Sequence, residues 1–397
     1  MSNGKLGIAI IGLGGAVGTT MVAGIELLKK GKIDATGLPL ANLDEVLIKD
    51  LADYENIVFG GWDLFGEHLA KAAEEHDVLT HKQFIAVEEE LKRIKPWRAV
   101  GNLEFLANIK GENQFSQTDS HRETIEKIRK DLQDFKKTCD EAVVINLAST
   151  EKLADEGNEI FNSPADFEKA LDNNSKEISP AMLYCYAAIA EAVPYGNFTP
   201  SVAADTPALI EYAEKQNVPI AGKDGKTGQT FIKTVLAPAL KTRALKVEGW
   251  YSTNILGNRD GLALSNEESL ASKIKTKGSV LDDILGYKVE DHIVDIRYYR
   301  PRKDNKEAWD NIDIVGFLGQ PMQIKVNFLC KDSILAAPLA IEIARLLDLA
   351  KRRRSFGIQE QLSVFFKLPM TSNEKPEHAL HIQEKMLLEW LRQKHDH

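Results

Sequence analysis

Lysine side chains form the most unusual chemical pattern in this sequence. The run Ser272–Lys277 carries lysines at every second position. If this run is helical, Lys273 and Lys277 share a face, and like charges at that spacing destabilise a helix by about 0.2–0.5 kcal/mol. The pair therefore indicates either a bound anion or a lowered lysine pKa, although a solvated surface run has the same pattern.

Lys367 is a second candidate because it lies inside the apolar run 365–369. Burial lowers the pKa of an ammonium group, which suits a lysine for proton transfer. The alternative is a side chain that extends to the surface and keeps its nitrogen in water. A glycine-rich loop at 222–228 adds Lys223 and Lys226 directly after a predicted strand.

A glycine-rich turn near the start of the chain indicates nucleotide binding. Residues 6–11 are predicted as a buried strand and residues 19–30 as a helix, and the turn between them contains Gly12, Gly14, Gly15 and Gly18. Glycines let the backbone approach a pyrophosphate, and the helix N-terminus supplies N–H donors. A tight turn without a ligand is the alternative interpretation.

An acidic residue that binds the ribose is expected about 20 residues after such a turn or at the end of the second strand. Asp34 is at that distance but follows no convincing strand, whereas Asp63 ends the apolar run that begins at Ile57. We therefore prefer Asp63.

Composition excludes several classes of protein. The chain has 397 residues, 43% hydrophobic and 27% charged, which is typical of a soluble enzyme of about two or three domains. Its net charge of −9 gives no overall field for nucleic acid or anionic membrane. Three dispersed cysteines form no disulfide framework or zinc pattern and favour a reducing cytoplasm. The histidines form no metal-binding motif, so the sequence leaves the metal unknown.

Residues 6–25 carry no charge and have the hydropathy of a signal segment or membrane span. Their six glycines weaken both interpretations, and a strand, a turn and a helix fit better.

Further apolar runs predict the rest of the first sheet. Residues 57–61, 142–147 and 218–221 are typical of parallel strands buried on both faces. A charged, mostly helical insertion is predicted over about 85–140. Ser179-Pro180 is predicted to start a helix, with proline in its first turn.

The pattern changes to strict alternation in the second half of the chain. Hydrophobic residues alternate with polar ones at 245–250, 294–299 and 322–328, which predicts antiparallel strands with one covered face. Helical periodicity returns from Ser333 to the basic run that ends at Arg354.

Taken in order, these segments resemble the myo-inositol-1-phosphate synthase family over about residues 6–371. The segments that carry the resemblance are Gly12–Gly18, Gly60–Asp63, Leu147–Glu151, Gly196–Pro200, Asp224–Thr230, Leu256–Gly261, Ser272–Asp283, Asp304–Lys306, Asp332–Leu335 and Lys367–Pro369. Departures from the family pattern are Ala16 and Val17 for a pair of asparagines, Ser149 for asparagine and Thr227 for serine.

The resemblance implies an α/β protein: a Rossmann-type doubly wound NAD domain, 1–232 plus 332–397, with an inserted α+β domain, 233–331, for catalysis and tetramerisation. It implies conversion of D-glucose 6-phosphate to 1D-myo-inositol 3-phosphate by oxidation, enolisation, aldol cyclisation and reduction, without net redox change. We expect a cytoplasmic homotetramer that serves inositol and phospholipid biosynthesis. NAD is the expected cofactor, and no nucleic-acid or membrane partner is expected. An activating cation of unknown identity is expected as a further family feature.

The resemblance also assigns the site. The catalytic lysines would be Lys273, Lys277, Lys306 and Lys367. The cofactor residues would be Gly12, Leu13, Gly14, Gly15, Ala16, Val17, Asp63, Ala148, Ser149, Thr150, Asp224 and Asp332. The substrate residues would be Thr227, Gly257, Asn258 and Asp260. Lys367 or Lys273 would act at the carbon 5 hydroxyl, and Lys306 and Lys277 at the carbon 1 oxygen and the phosphate.

Two alternatives remain at this point. An NAD-dependent dehydrogenase of a phosphorylated substrate would release NADH as a product. A regulatory protein that binds NAD without catalysis would be expected to lack the lysines, and all of them are present.

Overall fold

The computed structural model describes residues 4–102, 104–106, 109–257 and 280–393. Its strands are β1 (Leu6–Ile11), β2 (Ile57–Asp63), β3 (Trp97–Arg98), β4 (Glu141–Asn146), β5 (Tyr195–Asn197), β6 (Pro219–Gly222), β7 (Lys246–Leu256), β8 (Asp291–Tyr298), β9 (Asn305–Val315), β10 (Pro321–Lys331) and β11 (Gly357–Ile358). Its α-helices are α1 (Ala16–Lys29), α2 (Glu45–Ile48), α3 (Leu69–His76), α4 (His81–Lys92), α5 (His121–Lys136), α6 (Pro164–Asp172), α7 (Pro180–Ala190), α8 (Pro207–Lys215), α9 (Gly228–Thr242), α10 (Asp332–Arg352) and α11 (Leu380–Arg392). Residues 280–285 are also helical.

The first sheet is parallel throughout the described residues. Its strand order is β11-β6-β5-β4-β1-β2-β3, and β1 pairs in parallel with both β2 and β4. The strand order therefore reverses between β1 and β4, and doubly wound proteins bind ligands at such a point, at the carboxyl ends of the strands. The predicted Rossmann-type fold is confirmed.

Helices cover both faces of this sheet because its strands are apolar on both sides. One hydrophobic cluster joins the sheet to α1, α3, α4, α10 and α11. The other joins it to α5, α6, α7 and α8. As predicted, Ser179 caps α7, with Pro180 in the first turn.

The second sheet has the order β10-β9-β7-β8. Strands β9 and β10 form a hairpin and pair in antiparallel register. The prediction that these strands are all antiparallel is wrong, because β7 and β8 run parallel, from Gly249 opposite Asp291 to Leu256 opposite Tyr298. Alternation reports which face of a strand is covered and says nothing about its direction.

The prediction of a mostly helical insertion over residues 85–140 is also only partly right. Helix α5 and most of α4 lie in this range, but the described residues between them form turns and the short strand β3. Helix α5 packs against α7 and β1 and so belongs to the layer that covers the first sheet.

After β10 the chain returns to the first sheet through α10, which packs beside α1 and β4. Helix α9 spans the predicted domain boundary between residues 232 and 233, and the division into two domains stays a prediction. No helix among the described residues is long and apolar enough to cross a membrane.

Candidate active site

The glycine turn connects the carboxyl end of β1 to α1. Gly12 has a φ of +86°, and a Cβ atom added there would lie 3.0 Å from the Cα of Ala148. The backbone N–H of Gly12 donates to the carbonyl of Trp62 at 2.8 Å. No side chain caps the N-terminus of α1, so its first N–H groups are available to a ligand.

Asp63 lies beside this turn at the end of β2. One carboxylate oxygen accepts a hydrogen bond from the N–H of Gly14 at 2.8 Å, and the other accepts one from the N–H of Phe65 at 3.0 Å. The carboxylate therefore holds the glycine turn in place in addition to its predicted contact with a ribose.

The loop after β4 forms the neighbouring wall. Asn146 is buried, and its Oδ1 accepts a hydrogen bond from the N–H of Ala148 at 3.1 Å, which fixes the start of the loop. The predicted cofactor residues Ala148, Ser149 and Thr150 all line the cleft.

Glu151 follows them and is a buried acid at the cleft wall. Its Oε1 accepts a hydrogen bond from the N–H of Ala181 at 3.0 Å, near the start of α7. Desolvation raises the pKa of Glu151 to about 7, and hydrogen bonds from Ser179 and Ala181 oppose this rise.

Lys367 forms a buried ion pair with Asp224. Its Nζ lies 2.6 Å from Oδ1 of Asp224, and the two side chains are 6% and 4% exposed. The backbones also meet, since the N–H of Lys367 donates to the carbonyl of Asp224 at 2.7 Å. Lys367 is therefore desolvated, as the sequence indicated, and a carboxylate compensates its charge.

Lys306 forms a second ion pair at the start of β9. Its Nζ lies 3.2 Å from Oδ1 of Asp332, the first residue of α10. The same oxygen accepts a hydrogen bond from the hydroxyl of Thr227 at 3.3 Å. Thr227 precedes α9 but does not cap it, and a Cβ added at Gly228 would lie 3.4 Å from Nζ of Lys306. An ammonium group and an uncapped helix N-terminus therefore lie side by side.

These groups line a cleft at the carboxyl ends of the first sheet. The predicted site residues that line it are Gly12, Gly15, Ala16, Val17, Asp63, Ala148, Ser149, Thr150, Asp224, Thr227, Lys306, Asp332 and Lys367.

Three predicted residues are placed differently. The side chain of Leu13 lies in the hydrophobic core, Gly14 supplies the N–H that Asp63 accepts, and the N–H of Gly257 donates to the carbonyl of Lys303. The predicted residues Asn258, Asp260, Lys273 and Lys277, and the proposed helix that carries the two lysines, lie outside the described residues.

His76 is a cleft residue that the sequence did not identify. Its Nε2 lies 2.9 Å from the carbonyl oxygen of Gly14. Nothing in the local sequence signals this contact, because it depends on how α3 packs beside the glycine turn. Glu151 was recognised only as part of a motif, although its place in the loop that follows a buried strand could have marked it.

A family model described as myo-inositol-1-phosphate synthase, of an NAD-binding type, matches residues 6–392. The chain belongs to this family. An inositol-3-phosphate synthase of Bacteroides thetaiotaomicron is 46% identical to it, over 98% of this chain and 96% of that protein. The inositol-3-phosphate synthase of Dictyostelium discoideum is 32% identical, over 88% of this chain and 75% of that protein.

Solved structures of the family agree with this fold. The inositol-3-phosphate synthase of Caenorhabditis elegans superposes with a TM-score of 0.90 at 26% identity, covering 98% of this chain and 85% of that one. A myo-inositol-1-phosphate synthase-related protein of Thermotoga maritima gives a TM-score of 0.82 at 26% identity, covering 99% and 100%.

The residues present fit the NAD that this family binds. The turn at Gly12 has no room for a side chain, and the helix that follows has no side-chain cap. Both features suit a pyrophosphate held by backbone N–H groups. Ala16 and Val17, which replace the family's asparagines, supply the same N–H groups without side-chain amides.

Proposed function

We propose that this protein converts D-glucose 6-phosphate to 1D-myo-inositol 3-phosphate, using NAD without net redox change. The observation that carries the proposal is the placement of two lysine–aspartate pairs with buried ammonium groups, Lys306–Asp332 and Lys367–Asp224, in the same cleft as the glycine turn. A dinucleotide turn alone fits many dehydrogenases. Two desolvated ammonium groups beside it suit a reaction that passes through several charged oxygen atoms.

NAD, when bound, supplies a hydride acceptor and afterwards a hydride donor. The glycine turn and the N-terminus of α1 would hold its pyrophosphate, and Asp63 would contact a ribose. Residues 148–150 would form the other wall of its binding site. Asp224 and Asp332, which line the same cleft, would orient the cofactor and the two lysines together.

The region between α9 and Lys306 is assigned to the substrate phosphate and to the carbon 1 oxygen. An uncapped helix N-terminus attracts anions, and the ammonium group of Lys306 beside Gly228 adds a full positive charge. Because Lys306 is desolvated, its charge stabilises an oxyanion more strongly than a solvated lysine would.

Lys367 is assigned to proton transfer at the carbon 5 hydroxyl. Asp224 holds its Nζ at 2.6 Å, which fixes the direction of the ammonium group. Lys367 can take the proton of a substrate hydroxyl once its ammonium group has passed a proton to Asp224, and it returns that proton by the reverse transfers. Lys273 and Lys277 complete the proposed set on the strength of the family pattern.

The proposal extends to the assembly and its setting. We propose a cytoplasmic homotetramer in which the domain of residues 233–331 mediates association and supplies catalytic residues. The product would serve inositol and phospholipid biosynthesis. An activating cation is included in the proposal, and its contribution is measured by turnover with a chelator and then with added divalent or monovalent salts. Among the described residues, no cluster of three or more His, Cys, Asp or Glu residues is arranged to hold a metal ion.

The experiment that tests the activity is an incubation of the purified protein with glucose 6-phosphate and NAD, followed by phosphorus NMR. We expect the substrate resonance to be replaced by that of an inositol monophosphate. Conversion to an oxidised sugar phosphate would instead identify a dehydrogenase, and an unchanged spectrum would contradict both activities.

A further inference from the structure

The loop between β6 and α9 carries a lysine that the proposed reaction does not use. Asp224 and Thr227 of this loop line the cleft, whereas Lys226 between them does not. Lys226 is only 4% exposed, so its side chain is buried on the side of the loop away from the substrate. This arrangement gives one short loop contacts in two directions.

The ammonium group of Lys226 contacts the C-terminal helix. Its Nζ donates to Oε1 of Gln383 in α11. Gln383 is fully buried, and its Nε2 donates to the carbonyl of Glu377 at 2.6 Å. The backbone N–H of Lys226 donates to the carbonyl of Phe365 at 2.7 Å, two residues before Lys367. The loop is thereby fixed to the segment that carries Lys367 and to α11.

The charges around Lys226 do not compensate its burial. Within the described residues, no carboxylate lies within ion-pair distance of its Nζ. Desolvation lowers the pKa of Lys226 to about 7, and the weaker attraction of Glu377 only partly opposes this effect. His378 faces the same region, and burial is the main cause that lowers its pKa. The charge of Lys226 lowers this pKa further, whereas the carboxylates of Asp283 and Glu377 raise it.

A neighbouring lysine shows the contrast. Lys223 of the same loop forms an ion pair with Asp205 at 2.5 Å, and this carboxylate raises the pKa of Lys223 despite its burial. The carboxylate of Asp205 therefore stabilises buried Lys223, whereas the burial of Lys226 beside an uncharged amide reduces the stability of the fold at neutral pH. Stabilisation of the fold therefore does not explain why a lysine occupies position 226.

The segment before α11 also contacts the helix 280–285, which packs against the second sheet. Lys375 lies 3.0 Å from Oδ1 of Asp283, and Nε2 of His378 lies 3.9 Å from Oδ2 of the same residue. Asp283 belongs to the helix 280–285, which follows the predicted catalytic lysines Lys273 and Lys277 in the chain. Residues 375–383 thus contact both the loop of Lys226 and this helix.

We propose that Lys226 is a positioning residue, which fixes the loop 222–228 to α11 and thereby sets Asp224 and Thr227 relative to Lys367 and Asp332. The proposal rests on the proposed function, since it concerns the same cleft. Misplacement of reacting groups by about 1 Å can lower a rate about 100-fold. The contact between Lys226 and Gln383 is therefore expected to affect kcat although neither side chain touches the substrate.

The test uses the full-length protein and the variants Lys226→Met, Gln383→Met and the double variant. We expect each single variant to lower kcat at saturating NAD by roughly 10- to 100-fold. NAD should bind at most a few fold more weakly, because the glycine turn lies on other elements and only Asp224 of the cofactor residues is displaced. The double variant should lose little more than either single one, since residues that act as a unit are not additive. Lys233→Met is the matched control: Lys233 is equally buried on α9 but contacts His292 of the second sheet.

Thermal unfolding provides the second measurement. Lys226 has an ordinary pKa of 10.5 and a pKa of about 7 in the folded protein. Its burial therefore lowers the free energy of unfolding by the full amount below pH 7, and this destabilisation disappears as the pH rises toward 10.5. Lys226→Met should therefore be at least as stable as the wild type below pH 7, with a difference that shrinks at higher pH.

The inference would be overturned by a kcat of Lys226→Met within threefold of the wild-type value, or by a kcat loss that Lys233→Met reproduces. A loss of activity accompanied by a lower melting temperature below pH 7 would also contradict it, because it would assign Lys226 to folding. Failure of the proposed function is distinguishable, because the wild-type protein itself would then form no inositol phosphate.

Discussion

At the scale of single residues, the chemistry of this protein depends on pairing buried charges. Each of Lys306 and Lys367 has a buried ammonium group that lies against an aspartate of the cleft. The sequence identified the lysines but could not pair them, because Lys367 and Asp224 are 143 residues apart. Such pairing depends on the assembled fold, and no local pattern reports it.

The pairing decides how Lys367 must be tested. Lys367→Met alone would leave the Asp224 carboxylate buried without its ammonium group, which costs about 3–5 kcal/mol, so lost activity would be ambiguous. The double variant Asp224→Asn/Lys367→Met removes both charges and should melt near the wild-type temperature. We expect its turnover at saturating NAD to fall roughly 10²–10⁴-fold, because general acid–base catalysis contributes that much.

The matched control is Glu342→Gln/Arg345→Met, which removes a buried ion pair of α10 whose residues do not line the cleft. Its turnover should stay within a few fold of wild type. A loss below tenfold in the Asp224→Asn/Lys367→Met protein would show that Lys367 does not transfer the proton.

Glu151 should make stability depend on pH. Its ordinary pKa of 4.5 rises to about 7 in the folded protein, so burial of the carboxylate has no cost below pH 4.5, an increasing cost up to pH 7 and a constant cost above it. Glu151→Gln keeps an acceptor for the N–H of Ala181 and removes the ionisation. The variant should therefore match the wild type near pH 4 and exceed its stability by roughly 3 kcal/mol above pH 7.

Denaturant unfolding of both proteins between pH 4 and 8 measures this difference. A stability difference that does not change over this range would mean that Glu151 is not the group that titrates.

At the scale of elements, the strand, turn and helix at residues 6–29 were predictable because each signal is local. Apolar β-branched residues, then glycines, then helical periodicity follow in sequence. The parallel pairing of β7 with β8 was not predictable, since alternation is the same for both strand directions. The burial of Lys226 was also missed, because it depends on where α11 packs, more than 150 residues later in the chain.

The glycine turn gives a direct test of the cofactor site. Gly12→Ala places a Cβ 3.0 Å from the Cα of Ala148 at a φ of +86°, which costs roughly 1–2 kcal/mol in backbone strain alone. The turn must then shift, and we expect NAD to bind about tenfold more weakly or worse, as measured by fluorescence titration.

Gly24→Ala is the control for this substitution. It lies inside α1 with nothing within 4 Å of the added Cβ, so alanine should stabilise the helix by up to about 1 kcal/mol and leave NAD affinity unchanged. Equal NAD affinity in both variants would place the pyrophosphate elsewhere.

At the scale of the whole molecule, the second sheet leaves large side chains exposed on one face. Tyr251 and Trp309 lie with ring centroids 5.7 Å apart, and Ile293 and Leu329 are also exposed. An exposed patch of this kind is typical of an interface. If this face mediates the proposed homotetramer, the wild-type protein should sediment as a tetramer.

Trp309→Asp should dissociate that tetramer into smaller species at the same concentration, because it places a charge in the apolar patch. Ile85→Asp, at an exposed position on α4, should leave the sedimentation coefficient unchanged. A wild-type protein that sediments as a monomer at micromolar concentration would refute this use of the sheet.

In the proposed reaction, one cleft oxidises the substrate and afterwards reduces the intermediate formed from it. The most direct measurement follows NADH absorbance and inositol phosphate together, with glucose 6-phosphate in large excess over NAD. We predict many molecules of inositol phosphate formed per molecule of NAD, with no NADH accumulating beyond the enzyme concentration. NADH that accumulates in step with substrate consumption, without inositol phosphate, would contradict the account.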